Sequence, residues 1–142
     1  MSALGLRIID TAVQQANLWI NEVNMRTGWE DKQRAYRLLR AVLHTLRDHL
    51  TPDAAAKVSA QMPTMIRGIF YEGWNPSDPP ERSRSLAAFL AVVGQEFRDD
   101  PLREPMAEVG AVFDTLSAHI SAGEMENLRR TFSDDIGVLF DR

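Results

Sequence analysis

One apolar pattern is written twice in this sequence, with the two copies 70 positions apart. The phrase VLHTLRDHLTPD, residues 42–53, returns as VFDTLSAHISAG, residues 112–123, and the alignment needs no gap. Where the letter changes, the apolar character is kept, as at Trp19 and Phe89. A fixed offset that preserves apolar positions indicates a duplicated supersecondary unit. Eight pairs are identical: Val23/Val93, Ala41/Ala111, Val42/Val112, Thr45/Thr115, Leu46/Leu116, His49/His119, Ile66/Ile136 and Phe70/Phe140.

Within each copy the apolar residues recur with a helical period. Steps of three and four residues place them on one stripe per helix, and strand alternation over such lengths is absent. We therefore predict an all-α protein, a helical bundle of about seven or eight helices built from two pseudosymmetric repeats. The two clearest stripes are Ile9, Val13, Ala16, Ile20 and Val23, and Leu102, Met106, Val109, Phe113, Leu116 and Ile120.

The predicted organisation is a single domain over residues 1–142. Copy one covers about 6–71, a proline-rich linker about 72–83, and copy two about 84–141. We expect the two longest internal helices to supply the core through Leu43, Leu46, Phe113 and Leu116. The predicted helices lie near 6–26, 31–50, 52–62, 64–71, 84–98, 101–120, 122–132 and 134–141.

Residues typical of helix ends support these boundaries. A hydroxyl or carboxylate before a proline predicts an N-cap, because the side chain accepts a backbone N–H and proline at the first helical position has none to satisfy. A serine followed three residues later by glutamate predicts a reciprocal capping box. The signals are Thr51 before Pro52, Asp100 before Pro101, Ser121 with Glu124, and Gly28 as a left-handed helix end.

Composition narrows the function. The chain has no cysteine, which excludes disulfides, thiolate zinc sites and cysteine nucleophiles. A net charge of −4 argues against nucleic-acid binding, which depends on clustered Lys and Arg. No stretch is apolar enough for a membrane span, and the N-terminus lacks the layout of a secretory signal. We expect a cytoplasmic protein with neither membrane nor nucleic-acid partners.

The histidines are the first candidates for chemistry. His49 and His119 are repeat equivalents in the last turn of a helix, where an imidazole can hydrogen-bond unpaired carbonyl groups. The alternative is a metal site that joins these two histidines with Asp48 or Asp53. His44 lies about 500° around the helix from His49, so the two cannot chelate one ion as neighbours.

Loop aromatics and a nearby arginine form a candidate binding surface. Arg67, Tyr71 and Trp74 fall within eight residues and are residue types enriched at binding hot spots. This segment is present in copy one only, which makes it the expected place for a specialised contact. The alternative is that it staples the halves, with Trp74 over the core edge and Arg67 paired with a linker carboxylate such as Asp78.

Two further features have both a structural and a binding interpretation. Lys32, Arg34, Arg37 and Arg40 lie on one helix, either as a solvated face or as a site for an acidic partner or anionic ligand. The apolar run from Met62 to Phe70 predicts core packing, with a ligand pocket or partner groove as the alternative. A cavity near Met65, Phe70 and Trp74 would indicate a small apolar-ligand binder.

The run QMPTMIRGIFYEGWNPSDPP, residues 61–80, follows LRAVLHTLRDHLTPDAAAKVSAQ and precedes a second copy around AHISAGEMENL. From about Leu18 to Phe140 the chain resembles the bacterial family catalogued as domain of unknown function 2267. The resemblance implies an all-helical cytoplasmic protein with a duplicated unit, no established activity and no catalytic residues to transfer. In the second copy Ser133 replaces the Pro63-type residue, and the chain ends before any YEGW.

These features rank the functions. The leading hypothesis is a noncatalytic protein-interaction or regulatory module without a cofactor, whose partner is another protein or a second copy of the chain. The alternative is a metal-dependent enzyme or metal-binding protein that uses His49 and His119. A small apolar-ligand binder is the third.

Overall fold

The protein is described by a computed structural model in which residues 5–142 are placed. Within that range the chain forms eight α-helices, one 3-10 turn and no strand, which confirms the predicted all-α bundle. The helices are α1 (Arg7–Thr27), α2 (Lys32–Asp48), α3 (Pro52–Ser59), α4 (Thr64–Tyr71), α5 (Leu86–Gly94), α6 (Pro105–His119), α7 (Ala122–Arg130) and α8 (Asp134–Gly137). The 3-10 turn, Gln95–Phe97, directly follows α5.

Helix α2 occupies the centre of the bundle and packs against α1, α4, α5 and α6. Helix α1 also packs on α4 and α6, while α3 packs on α7. The predicted core residues Leu43, Leu46, Phe113 and Leu116 are all buried, because the apolar stripes of α2 and α6 face each other inside the bundle. The segment between α4 and α5 is not helical, as its prolines predict.

Several predicted helix ends are confirmed. The Thr51 hydroxyl accepts the Ala54 N–H at 3.2 Å, and Pro52 is the first residue of α3. Gly28 ends α1 with φ 75°, a left-handed conformation that glycine adopts without the steric cost of a Cβ.

The predicted capping box at α7 forms only in part. The Ser121 hydroxyl accepts the Glu124 N–H at 3.2 Å, as expected. The Ser121 N–H instead donates to the Gln61 side-chain oxygen at 2.8 Å, and Gln61 Nε2 donates to the Ser121 hydroxyl at 3.2 Å. A side chain from the α3–α4 turn therefore takes the place predicted for Glu124.

The predicted start of α6 at Asp100 and Pro101 is wrong. The helix begins at Pro105, and the Glu104 N–H donates to the Glu108 carboxylate at 2.8 Å. Asp100 does not cap the helix because its carboxylate accepts a hydrogen bond from Arg34 at 3.0 Å. A tertiary ion pair thus replaces a local cap and leaves the segment before α6 irregular.

The predicted basic cluster on α2 binds carboxylates of the chain itself. Arg34 pairs with Asp100, Arg37 with Asp99, and Arg40 with Glu72, at N–O distances of 3.0, 3.2 and 2.6 Å. These arginines hold the segment before α6 and the end of α4 against α2. The pairing lowers the pKa of the Asp99 and Glu72 carboxyl groups below their usual values.

Candidate functional site

A groove of about 840 Å³ lies between the first three turns of α1 and the turn that joins α3 to α4. Its α1 wall includes Ile8, Ala12 and Gln15, and its far wall is formed by residues 60–64. Trp19 and His119 lie at its inner end. From Arg7 to Trp19 the groove follows α1 for thirteen residues, a rise of about 18 Å.

The groove exists because α1 extends beyond the helices that cover it. Helix α1 has 21 residues, but only Ala16, Trp19 and Val23 are buried. The predicted apolar stripe of α1 enters the core at Ala16. Its first two members, Ile9 and Val13, are 39% and 42% exposed. Ile8, on the groove wall, is 77% exposed. The N-terminal turns of α1 therefore present apolar side chains that no other element of residues 5–142 covers.

Stacked rings hold the inner end of the groove. The His119 imidazole lies on the Trp19 indole with centroids 4.8 Å apart and planes 22° apart. The His119 Nε2 atom is 2.9 Å from the Glu22 carboxylate, so α6 is joined to α1 at this point. Trp19 is fully buried, and its indole N–H has no hydrogen-bond partner among the described residues.

Arg67 holds the far wall in place. Its Nε donates to the Ser59 carbonyl and its terminal nitrogen to the Met62 carbonyl, each at 3.0 Å. These carbonyls are near the end of α3, where helical partners run out. Gln61, between them, is held by Ser121, the N-cap residue of α7. The far wall is therefore fixed by the guanidinium of Arg67 and the side-chain amide of Gln61.

The structure places the predicted surface of Arg67, Tyr71 and Trp74 beside this wall. The Tyr71 hydroxyl is 2.6 Å from the Ser59 hydroxyl, and its ring packs against Phe70 and Trp74 at 5.1 and 5.0 Å. Tyr71 and Trp74 are partly buried against the core. Arg67 donates to backbone carbonyls and is not in an ion pair with Asp78. A role of these residues in binding a partner stays a prediction.

His49 and His119 have different surroundings. The His49 Nδ1 atom is 2.8 Å from the Thr45 carbonyl, which is the helix-end contact expected from its position in the last turn. Its ring packs against Phe89 and Phe132, both at 5.5 Å. Its Nε2 atom is buried without a partner in the described chain. Among residues 5–142, no three histidine, aspartate or glutamate side chains come together where they could hold a metal ion.

The groove along α1 was not predicted from the sequence, although Met62 on its far wall belongs to the apolar run for which a pocket or groove was the alternative interpretation. The cavity near Met65, Phe70 and Trp74 that would have indicated a small apolar-ligand binder is a different place, since none of these residues lines the groove. The sequence contained one signal for the groove, which was the amphipathic stripe of α1 that begins at Ile9. The sequence does not reveal which part of a stripe will be covered.

The sequence model of the family described as "Uncharacterized conserved protein (DUF2267)" matches residues 16–139. The chain belongs to the DUF2267 family. The match includes the inner end of the groove and its far wall, whereas Arg7, Ile8, Thr11, Ala12 and Gln15 lie before it. No curated protein matches this DUF2267 chain. Within residues 5–142, no helix combines the length and the apolar character needed to cross a membrane.

Proposed function

We propose that this protein is a noncatalytic protein-interaction module and that the groove along α1 is its binding surface. The observation that carries the proposal is a groove of about 840 Å³ that is continuous with uncovered apolar turns of α1. Contiguous exposed apolar surface with polar residues at its edge is typical of interaction sites. Here the edge includes Thr11, Gln15 and Thr64.

The shape of the groove favours a helix as its occupant. Its length of about 18 Å along α1 matches about twelve residues of a second helix. Amphipathic helices bind such grooves through apolar residues spaced three and four apart. Helix α1 already packs in this manner on α2 and α6 further along its length. A partner helix would extend the same packing beyond the bundle.

We propose a cytoplasmic location and a protein partner, in agreement with the net charge of −4, which disfavours nucleic acid. A second copy of the chain is one such partner. The surface of Tyr71 and Trp74 is a second proposed contact, because the two rings stay partly exposed beside the groove wall.

The test is site-specific photo-crosslinking in the native cells, with the crosslinker placed at Ile8 or at Met25. Both residues lie on α1 and are similarly exposed, at 77% and 74%, but Met25 does not line the groove. We expect a partner to be trapped from Ile8 and not from Met25. Trapping of a second copy from Ile8 would identify the module as self-associating.

Binding is then measured with purified components. The trapped partner should bind the wild type and the Met25→Glu variant with equal affinity, and should lose at least about tenfold in affinity for Ile8→Glu, since a charge would be buried in an apolar contact. Equal affinity for Ile8→Glu and the wild type would contradict the proposal. Circular dichroism confirms that both variants stay folded.

A further inference from the structure

The groove contains an unbalanced positive charge. Arg7 is the only Lys, Arg, Asp or Glu residue that lines it among the described residues. Arg7 makes no ion pair with any residue from 5 to 142. Asp10 lies three residues after Arg7 in the same first turn, but it neither lines the groove nor forms an ion pair with Arg7.

Two helix N-termini border the groove, and neither has a side-chain cap. The N-cap residues are Leu6 for α1 and Pro63 for α4. In the described chain, no N-cap side chain accepts an N–H group from the first turn of either helix. Side chains cap the N-termini of α2, α3, α5, α7 and α8, and α6, whose N-terminus does not line the groove, is uncapped as well. Unpaired N–H groups and the macrodipole make a helix N-terminus electropositive. These N-termini add to the charge of Arg7, while Arg67 covers the carbonyl groups at the end of α3 on the same wall.

Arg67 holds the far wall but does not itself line the groove. Arg67 donates to the Ser59 and Met62 carbonyls, and it has no carboxylate partner among residues 5–142. Glu22, which contacts His119 at the inner end at 2.9 Å, is also paired with Arg26 at 3.1 Å. Arg7 is therefore the charge that the groove itself presents, and no ion pair within residues 5–142 neutralises it.

We infer that the groove selects an acidic amphipathic helix, whose apolar face lies along α1 and whose Asp or Glu residues meet Arg7 and the two uncapped helix N-termini. This inference rests on the proposed function and names the chemistry of its partner. Charge complementarity of this kind steers encounter and disfavours partners of the wrong sign. It explains how a protein of net negative charge can present a local site for acidic segments.

The test uses two fluorescein-labelled helical peptides of about fourteen residues, slightly longer than the groove at the helical rise, with identical leucine positions. One carries glutamate and the other lysine at every position that flanks the leucines. Fluorescence anisotropy with the full-length wild type should show tighter binding of the glutamate peptide by about tenfold at low salt. The preference should shrink at about 1 M salt, where exposed charges are screened over about 3 Å.

Variants separate the effect of the Arg7 charge from the effect of the apolar groove. Arg7→Glu should remove or reverse the preference, while keeping α1 folded because a carboxylate is favourable at a helix N-terminus. Arg98→Glu is the matched control, since Arg98 is exposed and does not line the groove. It should leave the preference unchanged. Ile8→Glu should weaken both peptides.

Three results would overturn the inference: equal binding of the two peptides, no binding of either, or an unchanged preference in Arg7→Glu. Equal binding that Ile8→Glu still abolishes would reject the acidic partner and leave the groove as an interaction surface. The crosslinking result at Ile8 decides the proposed function independently, so the two failures are distinguishable.

Discussion

His119 stacks on Trp19 with ring centroids 4.8 Å apart. A matching contact is made by the residue 70 positions before His119. That residue, His49, packs at 5.5 Å against Phe89, which stands 70 positions after Trp19. Each histidine therefore contacts the aromatic residue of the other sequence copy. The two copies complete each other's core at these points.

This reciprocity predicts that one copy will not fold alone. A fragment of residues 1–83 would lack His119 over Trp19 and the α6 residues that cover α1. We expect it to show no cooperative thermal unfolding transition, because its apolar stripes would stay in water. Calorimetry of the fragment and the full chain checks this, and a cooperative transition of the fragment would contradict it.

Replacing Trp19 tests the unpartnered indole N–H. Trp19→Phe removes a buried donor that has no acceptor within the described chain, which offsets part of the lost packing. We expect a loss of unfolding free energy within about 2 kcal/mol, against about 3–5 kcal/mol for Trp19→Ala. Phe89 shows that phenylalanine serves at the equivalent position. Urea unfolding measures both variants, and a loss for Trp19→Phe well above about 2 kcal/mol would contradict the offset from the unpaired N–H.

Truncation of the central stripes should destabilise the bundle strongly. Leu46 and Leu116 are fully buried in α2 and α6. We expect Leu46→Ala and Leu116→Ala each to lower the unfolding free energy by about 2–5 kcal/mol. Leu18→Ala is the control, since Leu18 is 49% exposed and its loss should change stability by no more than about 0.5 kcal/mol. The measurement is chemical denaturation, in which the unfolding free energy should depend equally on denaturant concentration in all three variants and the wild type.

Arg67 should stabilise the groove wall through its two backbone contacts. Arg67→Met keeps the aliphatic part of the side chain and removes the donors to the Ser59 and Met62 carbonyls. We expect a loss of about 1 kcal/mol together with faster amide exchange in residues 59–63. Arg98→Met should change neither quantity. Unaltered exchange in Arg67→Met would show that the wall is held without Arg67.

His44 should make the fold sensitive to mild acid. Burial between helices lowers the pKa of its imidazole, although its Nε2 is 2.7 Å from the Ile69 carbonyl, to which it donates. Arg47 and Arg40 lower this pKa further, whereas Glu72 raises it. The folded state therefore binds fewer protons than the unfolded state as the pH falls below about 6.5.

The contribution of neutral His44 to stability is present above the unfolded pKa and is lost as the pH falls through the folded pKa. We expect His44→Gln, which retains a donor and does not titrate, to flatten the decline in unfolding free energy between about pH 7 and about pH 5. The measurement is denaturant unfolding of both proteins across that range. Parallel pH profiles would contradict the assignment to His44.

Local chemistry in the sequence determined the helices and most of their ends. The period of the apolar residues required amphipathic helices, Pro52 and Thr51 set the start of α3, and Gly28 the end of α1. These features depend on residues within one or two turns, so neighbouring letters are sufficient to predict them. The resemblance to the DUF2267 family was seen in a continuous segment of the sequence, and the match of the family model confirms it.

Tertiary structure alone decided where local signals were overridden and where the apolar stripe stayed uncovered. Asp100 has the sequence of a helix cap, but Arg34, 66 positions earlier, takes its carboxylate, and α6 begins at Pro105. Ile9 and Val23 belong to one stripe and cannot be told apart by period, yet Val23 is fully buried and Ile9 is 39% exposed. The reason is that coverage depends on the lengths and crossing points of helices remote in sequence, and these are fixed only when α2, α4 and α6 pack against α1.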